Sequence, residues 1–222
     1  SGDVLEFLGF ACRRVPHAAL DMYFRRIERQ SREGFRFGYL PIPFHAPEAT
    51  FSNLDGTSAG REVLTRIRDR SLNPDRLETL SLANLYDWAS RRFGPVGIEV
   101  LTEWLITGNE RQLEAAMELF AHAPSEVVFE NLAVFSQTLD RAEWFGEECI
   151  RHVKAACYRA AMSGMRSGIP GKPYPQDVAL RDRCQALLRT IPSTDRLHSL
   201  LTDILRGAER NIQEAIQLDE EE

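Results

Sequence analysis

Apolar side chains recur along this chain at intervals of three and four residues. Leu20, Tyr23, Phe24 and Ile27 fall at i, i+3, i+4 and i+7, the spacing that gathers side chains on one face of a helix. Leu113, Ala116, Met117 and Phe120 repeat it, as do Leu197, Leu200, Leu201 and Ile204. Val128, Leu132, Phe135 and Leu139 extend one face over three turns, and Leu180, Cys184, Leu187, Leu188 and Ile191 do the same. No segment alternates apolar and polar positions long enough to argue a strand. The pattern predicts an all-α protein.

Turn residues divide the helices. Asn73-Pro74 reads as N-cap and first helical residue, where proline's missing N–H is tolerated. Gly94-Pro95 ends one helix and opens another, and Asn109 is placed to cap the helix after Thr107-Gly108. Ser125 follows Pro124 as a cap, Asp140 can cap a helix running past Trp144, and Pro192-Ser193 introduces the last helix. Helices are therefore predicted near 4–13, 17–33, 60–70, 74–93, 95–107, 110–122, 125–139, 141–163, 175–190 and 194–218.

Joints of a few residues set neighbouring helices antiparallel. From residue 60 the helices fall into hairpins of about 30 to 40 residues, the length class of stacked helical repeats. The expected architecture is a HEAT-like α-solenoid, with an irregular helical bundle as the alternative. Residues 1–59 form a first region, a helical pair followed by a Pro- and aromatic-rich loop; residues 60–222 form the second, ending in an acidic tail. The loop at 34–59 holds Phe35, Phe37, Tyr39, Phe44 and Phe51, too many rings for a disordered linker, and is expected to pack over the first helices.

Composition narrows the function classes. The 222 residues are 43% hydrophobic and 27% charged, with a net charge of −6, which removes disordered and collagen-like readings. Four cysteines in this length are ordinary cytosolic usage and make no disulfide framework. No apolar run approaches the roughly 20 residues of a membrane span, and the acidic balance argues against nucleic acid. A cytoplasmic protein is expected. The opening Ser1-Gly2 reads as the remnant of a cleaved tag, so the chain is expected to be the C-terminal piece of a longer protein.

Enzyme signatures are sparse. Phosphate-binding loops, nucleophile elbows and zinc-protease helices have no counterpart, and Lys154 and Lys172 are the sole lysines. Cys149, His152 and Cys157 share one helix without a fourth zinc ligand and read as buried thiols beside a rim histidine. Trp88, Trp104 and Trp144 are expected in the core. Neither a cofactor nor a metal is implied.

Two clusters could bind a partner. Arg25, Arg29, Arg32 and Arg36 form a basic stripe that runs into Phe37 and Tyr39, a combination that could take phosphate, nucleotide or an acidic partner. Against this, Glu28 and Glu33 stand four residues from arginines, as on an ordinary solvated face. The second cluster, Arg166, Lys172 and Tyr174, is gathered in a Gly-rich loop before Pro175-Gln176-Asp177. That loop could equally be a well-capped turn.

Phe93–Leu105, with Gly108-Asn109 and Leu113–Phe120 after it, has the look of a HEAT-type hairpin. Together with Ser163–Pro173 and Asp177–Asp182, it resembles the C-terminal helical regions of large bacterial STAND-type NTPases of antiphage defence, over most of residues 60–218. The resemblance implies a helical sensor that recognises a protein ligand, with nucleotide chemistry elsewhere in a larger parent chain. It carries over no individual functional residue. The expected function is a non-catalytic protein-interaction domain. The alternatives are a scaffold subunit of an assembly and a helical enzyme using the Arg166–Tyr174 loop.

Overall fold

The three-and-four spacing does produce helices nearly everywhere. A computed structural model describes residues 2–34, 41–42, 50–74, 76–164, 166–167 and 171–217, with backbone alone at 2, 3, 76 and 77. Among the described residues there are eleven α-helices, one 3₁₀ turn at Ser52–Leu54 and no strand. They are α1 (Gly2–Arg14), α2 (Pro16–Glu33), α3 (Ser58–Arg70), α4 (Arg76–Ala89), α5 (Pro95–Thr107) and α6 (Glu110–Phe120). Then come α7 (Ser125–Glu130), α8 (Leu132–Glu143), α9 (Glu147–Ala161), α10 (Pro175–Leu188) and α11 (Arg196–Gln217).

Two compact units divide the chain, Ser1–Ala123 and Pro124–Glu222. Within the first unit α2 packs on both α3 and α4. In this unit α3 pairs with α4 and α5 with α6, while α2, α4 and α6 touch in succession and α3 touches α5. Tyr23, Ile27, Leu64, Ile67, Leu82, Tyr86 and Phe120 are buried at the centre. Of the aromatic loop, Ile42, Thr50 and Phe51 are buried, and Phe51 meets Tyr23 edge-on with ring centroids 5.8 Å apart. Phe35, Phe37, Tyr39 and Phe44 lie outside the described residues.

Arg68 ties α3 to α5. Its side chain is only 6% exposed, yet it donates to the Val100 carbonyl at 2.9 Å and to Glu103 at 2.7 Å. Its guanidinium also lies 4.3 Å from the Trp104 ring centroid. A second joint is purely steric. Gly97 passes so close to α4 that a Cβ would sit 2.5 Å from the Ser90 Cβ, and Tyr86 donates to the Gly97 carbonyl at 2.6 Å.

That approach explains why α4 ends at Ala89, well before Gly94. Arg91, Arg92 and Phe93 follow with φ of 50°, 60° and 60°, the left-handed region that costs an L-residue roughly 1–2 kcal/mol. Ser90 holds the run: its hydroxyl donates to the Tyr86 carbonyl at 2.6 Å and accepts from the Phe93 N–H at 3.0 Å. Phe93 is thereby inserted between Tyr86 and Phe120, at centroid distances of 5.5 and 6.1 Å. Burial of that ring offsets the strain.

In the second unit α8 and α9 pair, α10 and α11 pair, and α11 packs on both α8 and α9. Asn131 (φ −119°) separates α7 from α8, with its side-chain amide donating to the Val127 carbonyl at 2.8 Å. This break turns the predicted 125–139 helix into two, so Val128 and Phe135 are buried while Leu132 is only half-buried. Asn109 caps α6 as expected, in a reciprocal box with Gln112. Ser125 instead lies inside the first turn of α7, and the cap of α11 is Asp195, which accepts from the Leu197 N–H at 2.9 Å. No described helix is long and apolar enough to cross a membrane.

The end of α4 yields two linked predictions. Burial raises the Asp87 carboxyl above its usual range, with Arg92 opposing the shift, and its Oδ1 has no partner among the described residues. The folded state therefore binds a proton more tightly than the unfolded chain, and this group destabilises the fold as pH rises above the ordinary carboxylate range. Asp87→Asn should raise the melting temperature at neutral pH, with the gain vanishing in acid, as thermal unfolding at several pH values would show. In that background, Arg92→Gly should add about 1 kcal/mol, strain relief less the entropy of glycine.

Candidate interaction surface

The basic stripe on α2 turns out to be laced with carboxylates. Arg25, Arg29 and Arg32 are exposed, but Arg29 pairs with Glu33 at 2.9 Å and Arg32 with Glu28 at 3.3 Å. Glu28 also accepts from Arg70 at 2.9 Å, and Arg70 reaches the nearly buried Glu78 at 3.1 Å. The stripe is thus joined to α3 and α4 as a charge network of alternating sign. Such exposed pairs contribute little energy, and they leave little net positive field for an acidic partner. Arg36, Phe37 and Tyr39 lie outside the described residues.

Arg166 is held inside its own unit. Its guanidinium spans Asp177, with Nε at 3.1 Å and Nη2 at 3.0 Å from Oδ1, and donates from Nη1 to the Met162 carbonyl at 2.7 Å. Asp177 has 0% exposure and also accepts from Asn211 at 3.2 Å. The node therefore fastens the end of α9, the start of α10 and the middle of α11. Tyr174 is half-buried and acts through its backbone, its carbonyl accepting from the Asp177 and Val178 N–H groups. Of the three loop residues, Lys172 alone is exposed. The loop thus brings Arg166 and Tyr174 to one helix start, where both are occupied by structural contacts.

An aromatic platform at the α8–α9 turn was not anticipated. Trp144 is 79% exposed, the highest value among the large hydrophobic side chains described. It caps α8 with its N–H directed to the last-turn carbonyls of Arg141 and Ala142, and Gly146 (φ 113°) reverses the chain into α9. The predicted continuous helix over 141–163 is therefore two helices, and Asp140 sits in the last turn of α8, not at a cap. Trp104 is buried and Trp88 half-buried, so the core assignment fails for Trp144.

The platform has a defined shape and charge. The Arg141 guanidinium lies 5.1 Å from the ring centroids of both Trp144 and Phe145, bracing the pair. Glu143, Glu147 and Glu148 flank it in the sequence and are exposed. Arg196 holds Glu143 in an ion pair and approaches Asp140 at 3.8 Å. An exposed indole with carboxylates close in sequence suits a partner with an apolar pocket and a basic rim. The sequence signal for this turn is Trp144-Phe145-Gly146-Glu147-Glu148, a glycine after a helix end followed by acids in a new first turn.

The buried thiols offer no reactive alternative. Burial pushes Cys12 up to about 11 and Cys184 up to about 12, and raises Cys157 as well. Each is thus held away from its nucleophilic thiolate form. No three described His, Cys, Asp or Glu side chains gather at metal-binding distance. An open groove of about 450 Å³ runs between α10 and α11, lined by Arg181, Gln185, Glu209, Ile212 and Gln213. Comparison of the chain with protein-family models, curated proteins and solved structures finds no match.

The Arg166–Asp177 node yields its own prediction. Asp177→Ala strands a guanidinium that is only 23% exposed, and should destabilise the fold by about 3–5 kcal/mol in urea unfolding. Replacing the two together, Arg166→Met with Asp177→Leu, should cost far less, because no charge is left unpaired.

Proposed function

We propose that this chain is a non-catalytic protein-interaction domain that engages its ligand through Trp144, Phe145 and Arg141. The observation that carries the reading is the exposure of Trp144, 79%, on a rigid turn between two well-packed helices. Indole and guanidinium groups dominate interface energetics when a partner desolvates them. Glu143 and Glu148 are held by Arg196 and Arg151, so Glu147 is the carboxylate that favours a protein ligand with lysine or arginine at its pocket rim.

For the first unit the architecture we infer is a HEAT-like α-solenoid. What supports it is the relay of neighbours in the first unit, α2 to α4 to α6 and α3 to α5, since stacked repeats touch mainly their neighbours. The resemblance of residues 60–218 to STAND-type sensors gives the wider setting: a sensing module of a larger cytosolic bacterial NTPase, responding to a foreign protein. On this reading the Arg25–Arg36 stripe and Lys172 lie outside the central contact.

A photo-crosslinking side chain placed at position 144 should capture the ligand. Once the captured protein is purified, Trp144→Ala should weaken its binding by about 2 kcal/mol or more, roughly 30-fold. Circular dichroism and thermal melting should be unchanged, because the indole makes little of the core. Undiminished affinity in Trp144→Ala overturns the platform, and a parent protein that activates normally without residues 1–222 overturns the sensor.

A further inference from the structure

We propose that α1 is a self-association surface through which two copies of this chain pair antiparallel, about a two-fold axis passing between Gly9 and Phe10. Four of the seven exposed large hydrophobic residues described belong to this one short stretch: Val4 at 62%, Phe7 at 66%, Phe10 at 52% and Val15 at 52%. The opposite side of α1 is already used. Leu8 and Cys12 are buried, with Leu5 and Met22 packed against Leu8. The helix is therefore anchored along one side and apolar along the other, as a helix between two partners is.

The arrangement of charge selects the occupant. At about 100° per residue, Glu6 and Arg13 are two turns apart on the same edge of this apolar face, and both are exposed. A two-fold axis after Gly9 matches position n with position 19 − n. Val4 then meets Val15 of the second copy, and Glu6 meets Arg13 of the second copy. Phe7 and Phe10 of both copies fill the centre of the seam. In an antiparallel pair each edge faces its own counterpart, so both Glu6–Arg13 contacts form on one edge. In a parallel pair each edge faces the partner's other edge, so Glu6 and Arg13 would lie beside the Val4–Val15 edge with no opposite charge to meet. An acidic or a basic foreign partner would match only one end of the helix, whereas a second copy matches both. The interface is isologous, the usual form of a protein dimer. Arg14 adds to the seam, its guanidinium lying 5.9 Å from the Phe10 ring centroid within one copy.

Sedimentation of the full chain across the micromolar range should show a concentration-dependent monomer–dimer equilibrium. Phe7→Ser with Phe10→Ser should abolish the dimer while leaving the helical circular dichroism and melting cooperativity in place. Glu6→Arg or Arg13→Glu alone should weaken dimerisation by about tenfold or more, and the two combined should restore it. Geometry is read by cysteine pairs: Val4→Cys with Val15→Cys should oxidise to a covalent dimer. Either cysteine alone should not, since like positions at opposite ends stand about 16 Å apart along the axis. A monomer at every concentration overturns the proposal, as it would if another part of the chain covers this face. So does a dimer indifferent to Phe7 and Phe10, or one that crosslinks through a single cysteine.

Discussion

A buried charge has to be met by its opposite, and each unit of this protein is arranged around one such requirement. Arg68 is almost wholly out of solvent, so its guanidinium needs the Val100 carbonyl, Glu103 and the face of Trp104. Those partners all belong to α5, which fixes where α5 lies on α3. Asp177 is the mirror case: a carboxylate at the start of α10 with no solvent access, answered by Arg166 and Asn211. Apolar packing alone lets helices slide and rotate against one another. A buried ion with directional hydrogen bonds accepts few arrangements, because any other leaves it unpaired in a medium of low dielectric.

The same constraint decides what remains for function. Arginine is the commonest cation in this chain, and several of its arginines are committed to internal pairs. Arg66 holds Asp21 at 2.6 Å, Arg70 bridges Glu28 and Glu78, and Arg166 is held by Asp177. A guanidinium already saturated by a carboxylate gains little from a new partner, since it must first release the old one. The aromatic groups left uncovered are different. Trp144 on its turn and the phenylalanines of α1 leave most of their apolar area exposed, so covering them removes surface from water without breaking an ion pair. Apolar surface that the fold leaves open is therefore a better pointer to contact than clusters of cations.

Local strain serves the same end as the buried ions. The left-handed run of Arg91, Arg92 and Phe93 is unfavourable residue by residue, yet it aims Phe93 into the aromatic cluster and lets Gly97 lie against Ser90. A more relaxed turn would keep the backbone comfortable and displace α5 from α4. Packing across three helices thus overrides the preference of three residues, which is why Gly94 is a misleading stop signal and α4 ends earlier.

The all-α character, the location of most helices and the Asn109 cap follow from sequence alone, because helical periodicity and capping are local: they depend on residues three or four apart. The burial of Val128 and Phe135 was legible for the same reason, and that of Phe51 from the crowding of rings in its loop. The candidate site was not. Nothing local distinguishes Trp144, at the exposed end of α8, from Trp104, buried against Arg68, because exposure depends on which distant element covers a side chain. Gly146 carried a signal for the turn, but the carboxylates on either side suited a continuous helix as well as a broken one. Arg166 looked available because Asp177 stands eleven residues away and Asn211 forty-five, separations at which only the packed fold brings partners together. The sequence by itself determined which segments coil; tertiary structure decided which charges are spent inside and which rings face water, since burial is a property of neighbours and not of the residue.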